Sequence, residues 1–243
     1  MKKLYVIGIG PGGEGRMTFE AIKALEESDV IVGYTPYLEY VKKFIEGKET
    51  FDSGMRKEIE RCEKAIEFSE SGKTTSIIST GDAGLYAMAG PILELVKEKG
   101  SDIEVEVVPG VTSVFSAAAE LGAPIMHDLA IISLSDLLTP WDLILKRVKL
   151  AAEGDFIIGL YNPRSKGRPE NLDKALEVIL EYKSPDTLVG VVKNSGREGN
   201  EKWITTLGKL ETEKIDMMTV LIIGNKSTFI FDEKMVTPRG YNI

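Results

Sequence analysis

One cysteine and one histidine among 243 residues leave this chain little to build a metal centre or a disulfide from. Cys62 has no partner for an internal bridge, and it sits in a charged helical pattern running from Glu58 to Glu67, so it reads as a structural thiol. With His127 the sole histidine, the His and Cys ligand sets of zinc or non-haem iron cannot be assembled within the chain, and no metal is expected. Long apolar runs are missing too. The nearest to the roughly 18 to 20 residues that cross a bilayer is Val107 to Ala119, which Pro109 and Gly110 interrupt. No membrane partner is therefore expected, and the expected location is the cytoplasm. The opening Met1-Lys2-Lys3 and the apolar run after it are expected to form a first strand, not a signal peptide. Gly8-Ile9-Gly10-Pro11-Gly12-Gly13 cuts the run short, and no small-residue cleavage site follows. An excess of basic charge is the last absence. The net charge is −8, which disfavours nucleic acid and means that an anionic ligand must be held by arginines gathered locally.

What the sequence does have is alternation. Short runs rich in Val and Ile alternate with amphipathic helical patterns, the signature of βα units and a largely parallel sheet. A first series places strands at Leu4–Ile7, Val30–Val32, Thr50–Asp52, Thr75–Ser79 and Val105–Val108. Its helices fall at Phe19–Glu27, Pro36–Phe44, Arg56–Ser69, Tyr86–Lys99 and Ser113–Leu121. A second series places strands at Ala130–Ser133, Phe156–Tyr161, Leu188–Lys193, Lys202–Thr206 and Val220–Gly224, with helices at Trp141–Ala152 and Pro169–Tyr182. The turn-like Gly196-Arg197-Glu198-Gly199-Asn200 before Lys202–Thr206 predicts a hairpin and hence a mixed second sheet. The expected fold is two α/β domains, residues 1–122 and 123–243, the first mainly parallel and the second mixed, with a cofactor cleft between them.

Open α/β sheets place ligands at the loops after strand C-terminal ends. The first such loop, Gly8 to Gly13, matches G-x-G-x-x-G and suggests a dinucleotide. Pro11, however, removes an N–H donor where pyrophosphate needs one, and the second strand ends Ile31-Val32-Gly33-Tyr34 without an acid for the ribose. Glycines that only permit a tight turn are the plainer reading. The second loop is Ser79-Thr80-Gly81-Asp82-Ala83-Gly84-Leu85-Tyr86. Here Gly81 admits close approach, Asp82 accepts hydrogen bonds and Tyr86 offers a flat face with a polar tip. Asp82 reads equally as a helix N-cap. In the third loop, Pro109 to Ser113, Thr112 and Ser113 either cap the small-residue helix that follows or contact a cofactor.

These loops in this order resemble the tetrapyrrole methylase family, which uses S-adenosylmethionine. The shared runs are G-x-G-P-G after the first strand, S-x-G-D-A-G-x-Y after the fourth and V-V-P-G-V-T-S after the fifth. The likeness continues through Gly122-Ala123-Pro124 with His127-Asp128, through Ile132 to Trp141, through Tyr161-Asn162-Pro163-Arg164-Ser165, and through Thr237 to Tyr241. That second half is similar to the branch that methylates carbon 17 of precorrin-3B or of cobalt-factor III in cobalamin biosynthesis and contracts the macrocycle. The branches that act at carbon 11 or carbon 20 are the alternatives. Outside the family, an NAD-dependent oxidoreductase and a non-catalytic nucleotide-binding module are the competing classes.

The resemblance implies a homodimer, with S-adenosylmethionine as cofactor, S-adenosylhomocysteine as product and a tetrapyrrole as substrate. It implies cofactor contacts at Gly10, Pro11, Gly81, Asp82, Ala83, Tyr86, Thr112, Ser113 and Asn162, with Asn194 and Thr219 as further candidates. Ring contraction requires proton transfers, for which the candidates are Asp82, Tyr86, His127, Asp128, Ser133 and Asp136. A histidine beside an aspartate at a domain boundary reads equally as a structural hydrogen-bonding pair. The substrate's carboxylates call for arginine, and Arg164 and Arg168, clustered after a strand end, are the candidate clamps. A solvated loop ahead of a helix is the plainer reading of that cluster, and it is preferred for Lys166.

Overall fold

The computed structural model describes residues 2–242, which divide into two compact units, the boundary falling between Ser113 and Val114. The first is built of β1 (Lys3–Gly8), α1 (Phe19–Glu27), β2 (Val30–Tyr34), α2 (Thr35–Glu39), α3 (Lys42–Ile45), β3 (Glu49–Ser53), α4 (Glu58–Glu70), β4 (Thr75–Ser79), α5 (Ala89–Lys99) and β5 (Glu104–Val108). Its five strands are all parallel, in the order β3-β2-β4-β1-β5. Parallel strands covered by helices on both faces need apolar side chains in both directions. β1 shows this residue by residue. Leu4 and Val6 pack with Cys62, Ala65, Ile66 and Ile92 from α4 and α5, whereas Tyr5 and Ile7 pack with Ala21 and Leu25 from α1, Ile45 from α3 and Val41 just ahead of α3. Thr18 fixes where α1 starts, its hydroxyl accepting from the Ala21 N–H at 3.1 Å.

The second unit contains α6 (Ser113–Leu121), β6 (Gly122–Ala123), β7 (Leu129–Ser133), α7 (Trp141–Glu153), β8 (Ile157–Tyr161), α8 (Asn171–Leu180), β9 (Leu188–Lys193), β10 (Glu201–Thr206), β11 (Thr219–Ile223), β12 (Phe229–Phe231) and β13 (Lys234–Val236). Its main sheet runs β10-β9-β11-β8-β7. Only β7 and β8 are parallel, and β9 and β10 form the hairpin that the turn signal predicts. α7 and α8 cover one face through Ile144, Val148, Leu172, Leu176 and Ile179. Val114, Ala117, Ala118 and Leu121 of α6, with Met235 of β13, cover the other.

Three sequence expectations shift. The first series was expected to include the helix from Ser113 to Leu121, but from Val114 on this helix packs in the second unit. Two glycines explain its seat: a Cβ on Gly190 would stand 2.4 Å from Leu121 Cδ1, and one on Gly159 would stand 3.0 Å from Val114 Cγ2. The helix expected from Tyr86 begins at Ala89, because Tyr86 adopts φ +55 and leaves the right-handed helical region. The span Pro36–Phe44 is two short helices. A third sheet, β12-β13-β6, was not foreseen.

Candidate active site

The parallel order puts the C-terminal ends of β1, β4 and β5 side by side, and the loops leaving them lock together through main chain. Gly10 and Gly81 exchange hydrogen bonds: the Gly10 N–H donates to Gly81 O at 3.0 Å and the Gly81 N–H to Gly10 O at 2.7 Å. The third loop closes on both. A Cβ on Gly110 would lie 2.2 Å from Gly81 O and 2.5 Å from Gly8 O, so only glycine lets these backbones meet. Asp82 ties the assembly. Its Oδ1 accepts from the Gly84 N–H at 2.8 Å and its Oδ2 from the Gly110 N–H at 3.1 Å. The N-cap reading of Asp82 is thereby corrected, since α5 starts at Ala89 with Met88 in the cap position. Pro11, Ala83 and Thr112 are buried in these loops, while Tyr86 is 56% exposed. Ser113 opens α6, so of the two proposed caps it is the first helical residue.

Two properties of this cradle bear on its ligand. Across Gly8–Gly13, Thr80–Tyr86 and Pro109–Ser113 the only charged side chain is that of Asp82; the other residues are neutral, among them, besides Gly8, Gly10 and Gly81, Gly12, Gly13, Gly84, Gly110 and Ala83. None of these side chains is cationic, so a phosphate held here would rest on main-chain N–H groups and neutral hydroxyls alone. The dinucleotide reading fails structurally as well. The G-x-G-x-x-G loop leads into a short 3-10 turn at Glu14–Arg16, with an acidic residue at its start, and α1 opens only at Phe19. Beside the cradle, the hydroxyl of Ser79 at the end of β4 is buried with no hydrogen-bond partner among the described residues.

In the second unit the structure brings some expected residues together and separates others. Asn162, at φ +50 just past β8, donates from Nδ2 to Ser133 Oγ at 2.9 Å, and the Ser135 N–H donates to the same oxygen at 3.3 Å. Ser133 therefore accepts twice and keeps its own proton to donate. Arg168 turns inward, hydrogen-bonded to Ser135 Oγ and 3.8 Å from Asp136 Oδ1, with its side chain 10% exposed. That commitment removes it as an open clamp. Arg164 instead lines a depression of about 460 Å³ with Ser165, Lys166, Pro169, Ile215, Asp216, Met217 and Met218. Burial would raise the Asp216 carboxyl. The Lys193 ammonium at 2.7 Å, the Met218 N–H and the Thr219 hydroxyl together hold it below its ordinary value. Thr219 is 1% exposed and its hydroxyl serves Asp216, so its side chain is not presented to a ligand. Asn194, at φ +51, closes the β9–β10 turn by donating from Nδ2 to Gly199 O at 3.2 Å. His127 and Asp128 form an exposed pair, Nδ1 to Oδ2 3.5 Å, ahead of β7. Ser133 ends that strand, about 16 Å away at ordinary strand rise.

The sequence match agrees with this geometry. Residues 3–211 fit the family model described as Tetrapyrrole (Corrin/Porphyrin) Methylases. The chain belongs to the tetrapyrrole methylase family. Members of this family are S-adenosylmethionine-dependent methyltransferases, and the chain is accordingly a methyltransferase. It is 51% identical over 240 residues to the "Probable cobalt-factor III C(17)-methyltransferase" of Salmonella typhimurium (strain LT2), covering 99% of this chain and 100% of that protein. It is 44% identical over 243 residues to the "Cobalt-factor III methyltransferase" of Priestia megaterium, covering 98% of this chain and 45% of that longer protein. The crystal structure of the methyltransferase CobJ superposes with TM-score 0.90 at 34% identity, over 97% of this chain and 98% of that one. Among the buried charged groups that sequence reasoning missed within this methylase is Arg61, 5% exposed, on the inner face of α4. The helical charge pattern around it suggests solvent, and only the nearby Ser53-Gly54 turn hints at partners.

Proposed function

We propose that this methyltransferase transfers a methyl group from S-adenosylmethionine to carbon 17 of a cobalamin precursor, with contraction of the macrocycle, and that its substrate is cobalt-factor III. The observation that carries the reading is the 51% identity, over 99% of this chain and 100% of that protein, to one named a probable cobalt-factor III C(17)-methyltransferase. When bound, S-adenosylmethionine supplies an electrophilic methyl together with its own leaving group. The residues proposed to hold it are the main chain of Gly10, Pro11, Gly81, Ala83, Thr112 and Ser113, with Tyr86 alongside. Asp82 organises these loops; both its oxygens are taken by backbone donors. Methyl transfer to an electron-rich ring carbon asks chiefly for alignment, which a main-chain cradle provides.

Ring contraction asks for a proton donor, and Ser133 is proposed for it, because its oxygen accepts from two donors and its own O–H is left to donate. Arg164 is the proposed carboxylate clamp. A homodimer in the cytoplasm is the accompanying expectation from the family; among the described residues no helix is long and apolar enough to cross a membrane. The test is incubation with labelled S-adenosylmethionine and either cobalt-factor III or precorrin-3B. A ring-contracted product carrying label at carbon 17 is expected with the former. Label at another carbon, or turnover of the cobalt-free substrate alone, refutes this reading.

A further inference from the structure

Five connections leave the C-terminal edge of the first sheet, and those after β1, β4 and β5 make the cradle. β2 runs directly into α2. The remaining loop, residues 54–57 after β3, is held from beneath by a buried arginine. Nη1 of Arg61 donates to Ser53 Oγ and to Gly54 O, both at 2.9 Å, and Nη2 lies 3.2 Å from Glu58 Oε1. The guanidinium also sits 5.9 Å from the ring of Tyr34, at the end of β2. Arginine is seldom buried, and here its fork fixes a stretch of exposed loop. At the tip of that loop Met55 is 66% exposed and Arg56 is held at φ +64, a conformation that long side chains rarely adopt. Arg56 is exposed, and no ion pair engages it among the described residues.

We propose that this loop is a substrate-binding element, with Arg56 taking a peripheral carboxylate of the tetrapyrrole, Met55 lying against the apolar macrocycle, and Arg61 acting as the positioning residue. The inference rests on the tetrapyrrole reading above. Three observations support it. In a chain of net charge −8 a substrate with many carboxylates depends on individually placed cations, and Arg168 is already taken internally. The loop leaves the same sheet edge as the cradle, two strands from β4 and three from β1. At ordinary strand spacing that is about 10 and 14 Å, an interval that a tetrapyrrole covers between a reacting ring carbon and its peripheral carboxylates. Finally, the left-handed arginine and the buried guanidinium below it are both unfavourable for a plain surface turn, and their coincidence aims one cation from a fixed base.

Arg56→Gly tests this, because it removes the guanidinium while relieving the backbone, so the variant folds. Binding of cobalt-factor III is measured by absorbance titration and binding of S-adenosylhomocysteine by calorimetry. The expected result is a tetrapyrrole Kd raised about tenfold to a hundredfold, the loss of one charge-assisted contact, with S-adenosylhomocysteine affinity unchanged. Arg56→Lys is expected to recover part of it, and Arg61→Lys to raise the tetrapyrrole KM while leaving kcat and the cofactor KM as they are. An unchanged tetrapyrrole Kd in Arg56→Gly overturns the proposal, as does a wild-type protein that binds no tetrapyrrole. A wild type that binds cobalt-factor III through Arg56 but forms no product labelled at carbon 17 refutes the proposed reaction and leaves this surface standing.

Discussion

Replacing Asp82 by Asn isolates the tie between the β4 and β5 loops. The carboxylate satisfies two main-chain donors, Gly84 at 2.8 Å and Gly110 at 3.1 Å. An amide has one oxygen, so in the variant an NH2 group faces one of these N–H donors and that bond is lost. A hydrogen bond to a charged group contributes about 1.5–3 kcal/mol. The two apolar clusters beneath, on either face of the sheet, make no use of the carboxylate. The loss therefore falls on loop order: S-adenosylhomocysteine affinity is expected to drop about tenfold to a hundredfold, while the urea midpoint moves little because the loops open locally before the sheet does. Calorimetry gives the affinity, and amide hydrogen exchange at Gly84 and Gly110 reports the loosened tie. Wild-type affinity together with unchanged exchange at both glycines refutes the reasoning. A collapse of thermal stability with affinity retained makes Asp82 a residue of the fold alone.

Arg164→Ala should lower kcat/KM for the tetrapyrrole about tenfold to a hundredfold with cofactor affinity nearly constant, and Arg164→Lys should recover only part; near-wild-type steady-state kinetics in both returns Arg164 to a solvated loop. Gly190→Ala puts a methyl 2.4 Å from Leu121 Cδ1 and should cost about 1–3 kcal/mol in urea denaturation; Leu121→Val in the same chain should restore part of it, and additive losses would show that α6 does not rest on that glycine. Burial pushes the Cys62 thiol up from 9.0 to about 11. The stability contributed by keeping it neutral is present below about pH 9 and is lost as pH rises through about 11, so the stability difference between wild type and Cys62→Ala should narrow across that window and stay flat below it.

The βα alternation was readable because each strand and helix carries its own period. β1 alternates two faces that both lie in core, and α4 buries Cys62, Ala65 and Ile66 at helical spacing. The third sheet carried no such signal. β6 is two residues long and pairs with Met235 and Val236, more than a hundred positions on, so neither strand shows a pattern by itself. At the site, the loops were legible as glycine-rich stretches after strands, but the partners of Asp82 were not, since one is a backbone N–H 28 positions away. His127 and Asp128 stand next to a family-like run and yet precede β7, opposite the end that carries Ser133, a separation that sequence proximity hides. Arg61 escaped because its neighbours are charged; burial there is decided by the Ser53-Gly54 turn that its fork engages.

The cradle is written in main chain, and this limits how it can change. Where Gly8, Gly10, Gly81 and Gly110 meet, there is no side chain to shorten; a Cβ has no room at Gly8, Gly10 or Gly110, and Gly81 is held at φ +73, which disfavours any other residue. A bulky substituent on a ligand seated there cannot be accommodated by trimming a neighbour, the usual first move of a laboratory redesign. Libraries varied at these positions should return glycine, and altered ligand tolerance should emerge instead at Tyr86, where 56% of the residue faces solvent.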